Sequence, residues 1–277
     1  MENLDLKKVI NKFKKLGIKK GSTVLLSSSF LKIGNISNHK NSDEFYKFYY
    51  EVFKSLLGPS GTLVVNAFTS QVPRKRLIYK FKKTNSNSSG FDNYIRKRKN
   101  SILSFHVSNS VAAIGKNALE ICNEVSCNNW GYNSPYFKLI KFNPLIVRIG
   151  LDYAINAYAH VAETIIGVPY IYNKLIKFKY KKNKKIKIKT QTMSVRYLDL
   201  KIDYDYNKIQ KDIRNKVGLK KILLGSAKCY SLNAKKYFDF ILKELSKNPH
   251  YLLKKIPKYK FGKIPFDGPS GGRDGVA

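Results

Sequence analysis

Residues 23–66, TVLLSSSFLKIGNISNHKNSDEFYKFYYEVFKSLLGPSGTLVVN, place two short apolar runs on either side of an amphipathic segment. Thr23–Ser27 reads as a short buried strand. Ser42 is placed to cap a helix on which Phe45, Phe48, Tyr49, Val52, Phe53 and Leu56 recur at helical spacing, and Gly58-Pro59 stops it. Thr62–Asn66 is the next strand. This strand, helix, strand rhythm predicts an α/β layered sandwich, a central mostly parallel or mixed sheet flanked by helices.

The rhythm extends outward in both directions. Upstream, Leu6, Val9, Ile10, Phe13 and Leu16 repeat with helical period, and Gly17 is placed to end that helix. Downstream, residues 70–100 read as a long basic excursion rich in Asn and Ser, of a length that marks a functional or mobile loop. A helix near Asn117–Val125, another after Ser134-Pro135 and the strand Leu145–Ile149 follow. KFKYKKNKKIKIKT (177–190) alternates lysine with Phe, Tyr and Ile around Lys-Asn-Lys, which predicts a basic β-hairpin with one wet face and one apolar face. A strand at Lys221–Gly225 and an amphipathic helix from about Ala234 to Leu245 complete the pattern. One domain is expected over residues 1–262, with a flexible Gly/Pro-rich tail over 263–277.

Composition limits the function classes. No stretch reaches the roughly 18 apolar residues of a membrane span, and the first residues lack the apolar core of a signal peptide, so a cytoplasmic protein is expected. Cys122, Cys127 and Cys229 are odd in number and have no CxxC spacing. With only four histidines, neither a disulfide framework nor a metal site is indicated. The formal charge of +35 raises nucleic acid as a partner, yet the lysines are spread along the whole chain, and no RRM, KH or zinc-finger signature accompanies them. A general coding bias toward Lys and Asn accounts for the same composition. No specific nucleic-acid partner is expected, and a homodimer is compatible with the sequence. The charge does favour anionic small molecules over polycations.

AYAHVAETIIGVPY (157–170) carries the chemistry. If 155–166 is a helix after the strand ending at Gly150, Asn156, His160 and Glu163 share one face at i, i+4 and i+7, among Ala154, Ala157, Ala159 and Ala162. A polar stripe among alanines leaves room for a ligand. A histidine bonded to its own helix neighbour for structural reasons fits the same pattern. Asp152, just past the strand's carboxyl end, lies where α/β sheets bind substrates.

Five segments in order resemble the aminoglycoside 3-N-acetyltransferase family, whose members use acetyl-CoA and do not share the GNAT fold. LSSSFLKIG (26–34) stands for V-H-S-S-L-x-x-I-G, and LGPSGTLVVNAFT (57–69) for L-G-x-x-G-T-L-V-x-P-x-F-T. LSFHVSNSVAAIG (103–115) matches R-S-x-H-P-x-x-S-x-A-A-x-G in part, and SPYFKL (134–139) matches S-P-x-x-K-L. IGLDYAINAYAHVAE (149–163) echoes L-G-x-x-x-x-x-x-T-x-x-H-x-A-E. The resemblance spans about residues 4–255. Departures mark a divergent member: the family's histidine is Ser27, its arginine Leu103, its proline Val107 and its threonine Asn156.

The resemblance implies an acetyl-CoA-dependent N-acetyltransferase acting directly on an amine, without a covalent enzyme intermediate. An amine is protonated near neutral pH, so transfer requires a base to remove a proton and donors to steady the thioester oxygen. His160 is the expected base. Glu163 or Asp152, then Asp199 or Asp203, are candidates to fix its tautomer, and Asn156, Asp199 and Asp203 are candidates for the acceptor site. Ser27, Ser28, Ser29 and Phe30, with Thr69, Ser104, His106 and Ser110, are expected by resemblance to line the cleft that takes acetyl-CoA. The charge points to a nucleotide-linked amino sugar as acceptor. The alternatives are an aminoglycoside, or a non-catalytic basic protein that binds nucleic acid.

Overall fold

The computed structural model describes residues 5–34, 41–260 and 262; the tail expected at 263–277 lies outside the described residues. In chain order the elements are α1 (Leu6–Lys15), β1 (Thr23–Ser28), α2 (Ser42–Leu57), β2 (Thr62–Phe68), α3 (Gln71–Arg74) and α4 (Gly90–Lys97). There follow β3 (Ile102–Leu103), β4 (Asn109–Gly115), α5 (Ala118–Cys122), α6 (Pro135–Ile140), β5 (Leu145–Ile149) and α7 (Tyr158–Ile166). The last third holds β6 (Ile171–Lys182), β7 (Lys185–Arg196), α8 (Tyr206–Asp212), β8 (Lys220–Leu224), β9 (Ala227–Asn233) and α9 (Ala234–Lys247).

Seven strands form one mixed sheet in the order β3-β4-β2-β1-β5-β9-β8. Its centre, β2-β1-β5, is parallel, with Leu25 level with Val64 on one side and Ile146 on the other. β4 and β9 run antiparallel to this centre. Strand alternation sorts the core into two layers. Val24, Leu26, Leu63, Val65, Val147 and Ile149 pack on one face, toward Phe13, Phe53 and Phe91 from α1, α2 and α4. Leu25, Val64 and Ile146 face the other way, toward Ile121, Leu139, Val161 and Ile241 from α5, α6, α7 and α9. Burying each such Leu, Ile or Val contributes about 1.5–3 kcal/mol. The sheet needs both helical layers because its central strands have no polar face.

Several expectations are corrected by local chemistry. The α2 cap is Asn41, whose side chain accepts the Glu44 N–H, and Ser42 is the first helical residue. The excursion at 70–100 is anchored. Phe91 and Ile95 recur at helical spacing on α4 and are buried, Tyr79 is buried and hydrogen-bonds through its backbone to β6, and Arg96 donates from inside to the carbonyls of Ala67 and Phe81. α5 is shorter than expected, and the hairpin β6–β7 is longer, running over twelve cross-strand pairs from Ile171–Arg196 to Lys182–Lys185. Its outer face is mixed, because this register sets Lys179 opposite Ile188 and Lys181 opposite Ile186. The inner face carries Ile176, Phe178 and Tyr180 against Val72, Tyr79 and Val107. Among the described residues, no helix is long and apolar enough to cross a membrane.

Candidate active site

The parallel strands β1, β2 and β5 all end on one edge of the sheet, and chain leaving that edge builds an open cleft of about 220 Å³. Ser70 and Arg74 reach it from just after β2, His160 and Glu163 from α7, and Trp130 from the loop before α6. The last residues of β7, Met193 to Arg196, close its far wall. That loop is stitched in place: Asn129 accepts the Ser194 N–H (2.8 Å) and donates to Asn109 (3.2 Å), and Asn128 accepts from the N–H groups of Trp130 and Gly131. Trp130 is thereby held 5.5 Å from the His160 ring, centre to centre.

His160 and Glu163 form the polar heart of the cleft. The imidazole side chain is 41% exposed and the carboxylate 2%. His160 Nδ1 lies 2.7 Å from Glu163 Oε2. The other carboxylate oxygen accepts from two tyrosine hydroxyls, Tyr170 and Tyr204, each at 2.8 Å. Both hydroxyls titrate far above the usual tyrosine value, first because they are buried and next because the Glu163 charge faces them, so they remain donors. With three donors around it the carboxylate is fixed in place, and Nδ1 must carry the imidazole proton. The lone pair is then on Nε2, the nitrogen that does not face Glu163. This is the arrangement of a base held in one tautomer by a buried acid.

The helix starts at Tyr158, three residues later than the spacing predicts, and this removes Asn156 from the His160 face. Asn156 is buried, accepts the Tyr158 N–H at 3.0 Å and donates to the Ala154 carbonyl, so it caps the turn into α7 and does not line the cleft. The other acids also lie elsewhere. Asp152 pairs with Lys32 at 3.7 Å in solvent, and Asp203 pairs with Lys254 at 2.7 Å. Asp199 sits in the exposed turn at 198–200, outside the cleft lining.

None of the residues expected around acetyl-CoA lines this cleft, and most of them are engaged within the fold. Phe30 is core, stacked on Tyr49 at 3.9 Å. Ser27 accepts from Asn66 at 3.1 Å, Ser28 is buried, and the Ser29 carbonyl is closely approached by Gly150. Gly150 has φ +66°, and a Cβ there would stand 2.4 Å from that carbonyl oxygen, so this crossing of β5 past β1 requires glycine. Thr69 donates to the Val107 carbonyl at 2.7 Å, Ser104 accepts the Val111 N–H, and Ser110 donates to the His106 carbonyl at 2.6 Å. His106 is 1% exposed. Its Nδ1 accepts the N–H groups of Ser108 and Asn109, so Nε2 carries the proton and donates to the Thr192 carbonyl at 3.1 Å. Burial lowers its pKa to about 4, outweighing the opposing effect of the Thr192 carbonyl, and it is neutral near pH 7. Together these groups tie the loop between β3 and β4 to the hairpin that walls the cleft.

A family model described as aminoglycoside 3-N-acetyltransferase matches residues 25–246. The chain belongs to that family. Solved structures share the fold of these acetyltransferases at low identity. The aminoglycoside acetyltransferase AAC-VIa, in a room-temperature neutron and X-ray structure with sisomicin bound, superposes with a TM-score of 0.77 at 14% identity, over 88% of this chain and 98% of that one. The YokD protein from Bacillus subtilis gives 0.76 at 19% identity, over 92% and 97%. AAC-IIIb, as its binary complex with CoASH, gives 0.74 at 14% identity, over 92% and 99%. Among curated proteins no sequence relative matches.

Within the family motif H-x-A-E, His160 and Glu163 meet in the cleft as the resemblance implies, while the departures at Leu103 and Val107 fall on buried residues behind its wall. Sequence reasoning missed Arg74, Trp130, Tyr170, Tyr204 and Arg196. Tyr170 stands seven residues after Glu163 and carried a signal; Arg74, Trp130 and Arg196 reach the cleft, and Tyr204 reaches Glu163, only through tertiary packing. Among the described residues, no three His, Cys, Asp or Glu side chains converge as a metal site.

Proposed function

We propose that the protein transfers the acetyl group of acetyl-CoA to a primary amine of an amino sugar, with His160 as general base. The observation that carries this reading is the 2.7 Å contact of His160 Nδ1 with the buried Glu163 carboxylate, which only accepts; the imidazole proton therefore belongs on Nδ1, and Nε2 is left as the basic nitrogen beside the cleft. His160 Nε2 takes a proton from the acceptor's ammonium or from its nitrogen as the new C–N bond forms. The C–S bond breaks and the thiolate leaves, to be protonated as CoASH. The resulting imidazolium is stabilised by the Glu163 carboxylate, itself steadied by Tyr170 and Tyr204. Residues 1–262 act as one catalytic unit, in the cytoplasm.

Two acceptor classes compete. The sisomicin bound to a neighbour of the same fold supports an aminoglycoside-type amino sugar over the nucleotide-linked amino sugar that net charge alone suggests. The test is release of CoA thiol from acetyl-CoA with sisomicin as acceptor, in the wild type and in His160→Ala. Turnover is expected in the wild type and about 10²–10⁴ less in the variant, the worth of a general base. Equal turnover in both would remove His160 from the chemistry. Turnover of a nucleoside-diphosphate amino sugar but not of sisomicin would return the acceptor to the nucleotide-linked class.

A further inference from the structure

The cleft around His160 carries charge of one sign at its rim. Arg74, the last residue of α3, and Arg196, the last residue of β7, both line it and both are exposed. Its one lining carboxylate, Glu163, is buried and engaged by His160, Tyr170 and Tyr204. The Arg196 guanidinium lies 5.3 Å from the centre of the Tyr204 ring, and that ring is 6.0 Å from the His160 imidazole. Contact with an aromatic face orients a guanidinium and leaves its fork of N–H donors free to meet an oxyanion. At about 220 Å³ the cleft is below the roughly 300–1,000 Å³ of sites for drug-sized ligands, which suits a single sugar better than a whole CoA. A polycation would meet two guanidinium groups at the entrance and, behind them, a chain of formal charge +35.

We infer that the acceptor of this protein joins its amine to an anionic substituent, a phosphoryl or carboxylate group, which Arg74 and Arg196 hold while His160 addresses the amine. The inference rests on the acetyltransferase reading but departs from the aminoglycoside-type acceptor that the sisomicin-bound neighbour supports: on the charge of this cleft, an anionic amino sugar is the better acceptor and a polycation the poorer one. Guanidinium groups bind such oxyanions through paired, charge-assisted hydrogen bonds, so the arginines set the register of the sugar relative to Nε2.

The test compares the wild type, Arg74→Gln, Arg196→Gln and the double variant with glucosamine 6-phosphate, glucosamine and gentamicin as acceptors. The KM for acetyl-CoA is measured alongside, and glucosamine 6-phosphate is titrated calorimetrically into the protein without donor. In the wild type, kcat/KM for the phosphorylated sugar is expected to exceed that for glucosamine by about tenfold or more at low salt. The preference falls as salt is added and collapses in the double variant through the KM of the acceptor. Faster turnover of gentamicin by the wild type, or a preference that survives both substitutions, overturns the inference. So does a rise confined to the KM for acetyl-CoA, which would assign the arginines to the donor's phosphates. If no amine is turned over, the acetyltransferase reading fails, and the titration still decides: binding lost in the double variant upholds the anion site, and no binding to the wild type overturns it.

Discussion

Replacing Glu163 by glutamine separates the chemistry of the cleft from its architecture. The carboxylate accepts three hydrogen bonds, from His160, Tyr170 and Tyr204. A charge-assisted bond contributes about 1.5–3 kcal/mol and a neutral one about 0.5–1.5. Glutamine fills the same volume, can accept from both tyrosines through its carbonyl and can donate to Nδ1 through its amide. All three bonds survive as neutral ones, and relief from burying a charge offsets part of the loss. The expected cost is about 1–2 kcal/mol of stability, which for a chain of this size lowers Tm by about 2–8 °C. The effect on chemistry is far larger. With an amide donating to Nδ1, the imidazole proton moves to Nε2, the nitrogen needed as base, and the imidazolium loses its counter-charge. Acetyl transfer should fall about 10²–10⁴-fold. Thiol release from acetyl-CoA gives the rate, and urea unfolding gives the stability. A Glu163→Gln protein that keeps a near wild-type rate would refute the tautomer argument. So would a rate that drops only in proportion to the unfolded fraction.

Two further outcomes follow from residues the structure moves out of the site. His106 is buried with its pKa lowered to about 4, while the unfolded chain's histidine titrates near 6.5. Below pH 6.5 the unfolded state binds a proton the native state refuses, so stability is full above that pH and falls as pH drops toward 4, by about 3 kcal/mol in all. His106→Gln should flatten that part of the pH dependence of urea unfolding; an unchanged slope would contradict the burial argument. Phe30→Ala should cost about 3–5 kcal/mol because the ring stacks on Tyr49 inside the core. A raised KM for acetyl-CoA with unchanged stability would restore Phe30 to the cofactor site.

How far the sequence speaks depends on which physical term decides each element. β5 is predicted at its observed bounds because Leu145–Ile149 is a short apolar run interrupted only by Arg148, and both core layers follow from strict alternation in β1 and β2. α7 starts late because Asn156 offers the backbone a competing hydrogen bond, a choice that helical period alone does not reveal. α4 is missed inside the basic excursion: Phe91, Tyr94 and Ile95 carry helical spacing, but surrounding lysines and serines hide that period. Spacing brought His160 to Glu163. It could not distinguish His106, whose burial depends on a hairpin some 85 residues later, nor bring Arg74, Trp130 and Arg196 to one cleft.

The twelve-pair ladder of β6 and β7 limits how this protein can change length. Removing the terminal pair Lys182 and Lys185 beside the turn trims the tip and leaves Ile171 opposite Arg196 at the base. Deleting a single residue from β7 would instead exchange its two sides, turning Met193 and Val195 outward and Ser194 and Arg196 into the apolar cluster. Insertions and deletions in this arm are therefore tolerated two at a time, one from each strand, and an odd indel would rewrite the wall of the cleft from a distance.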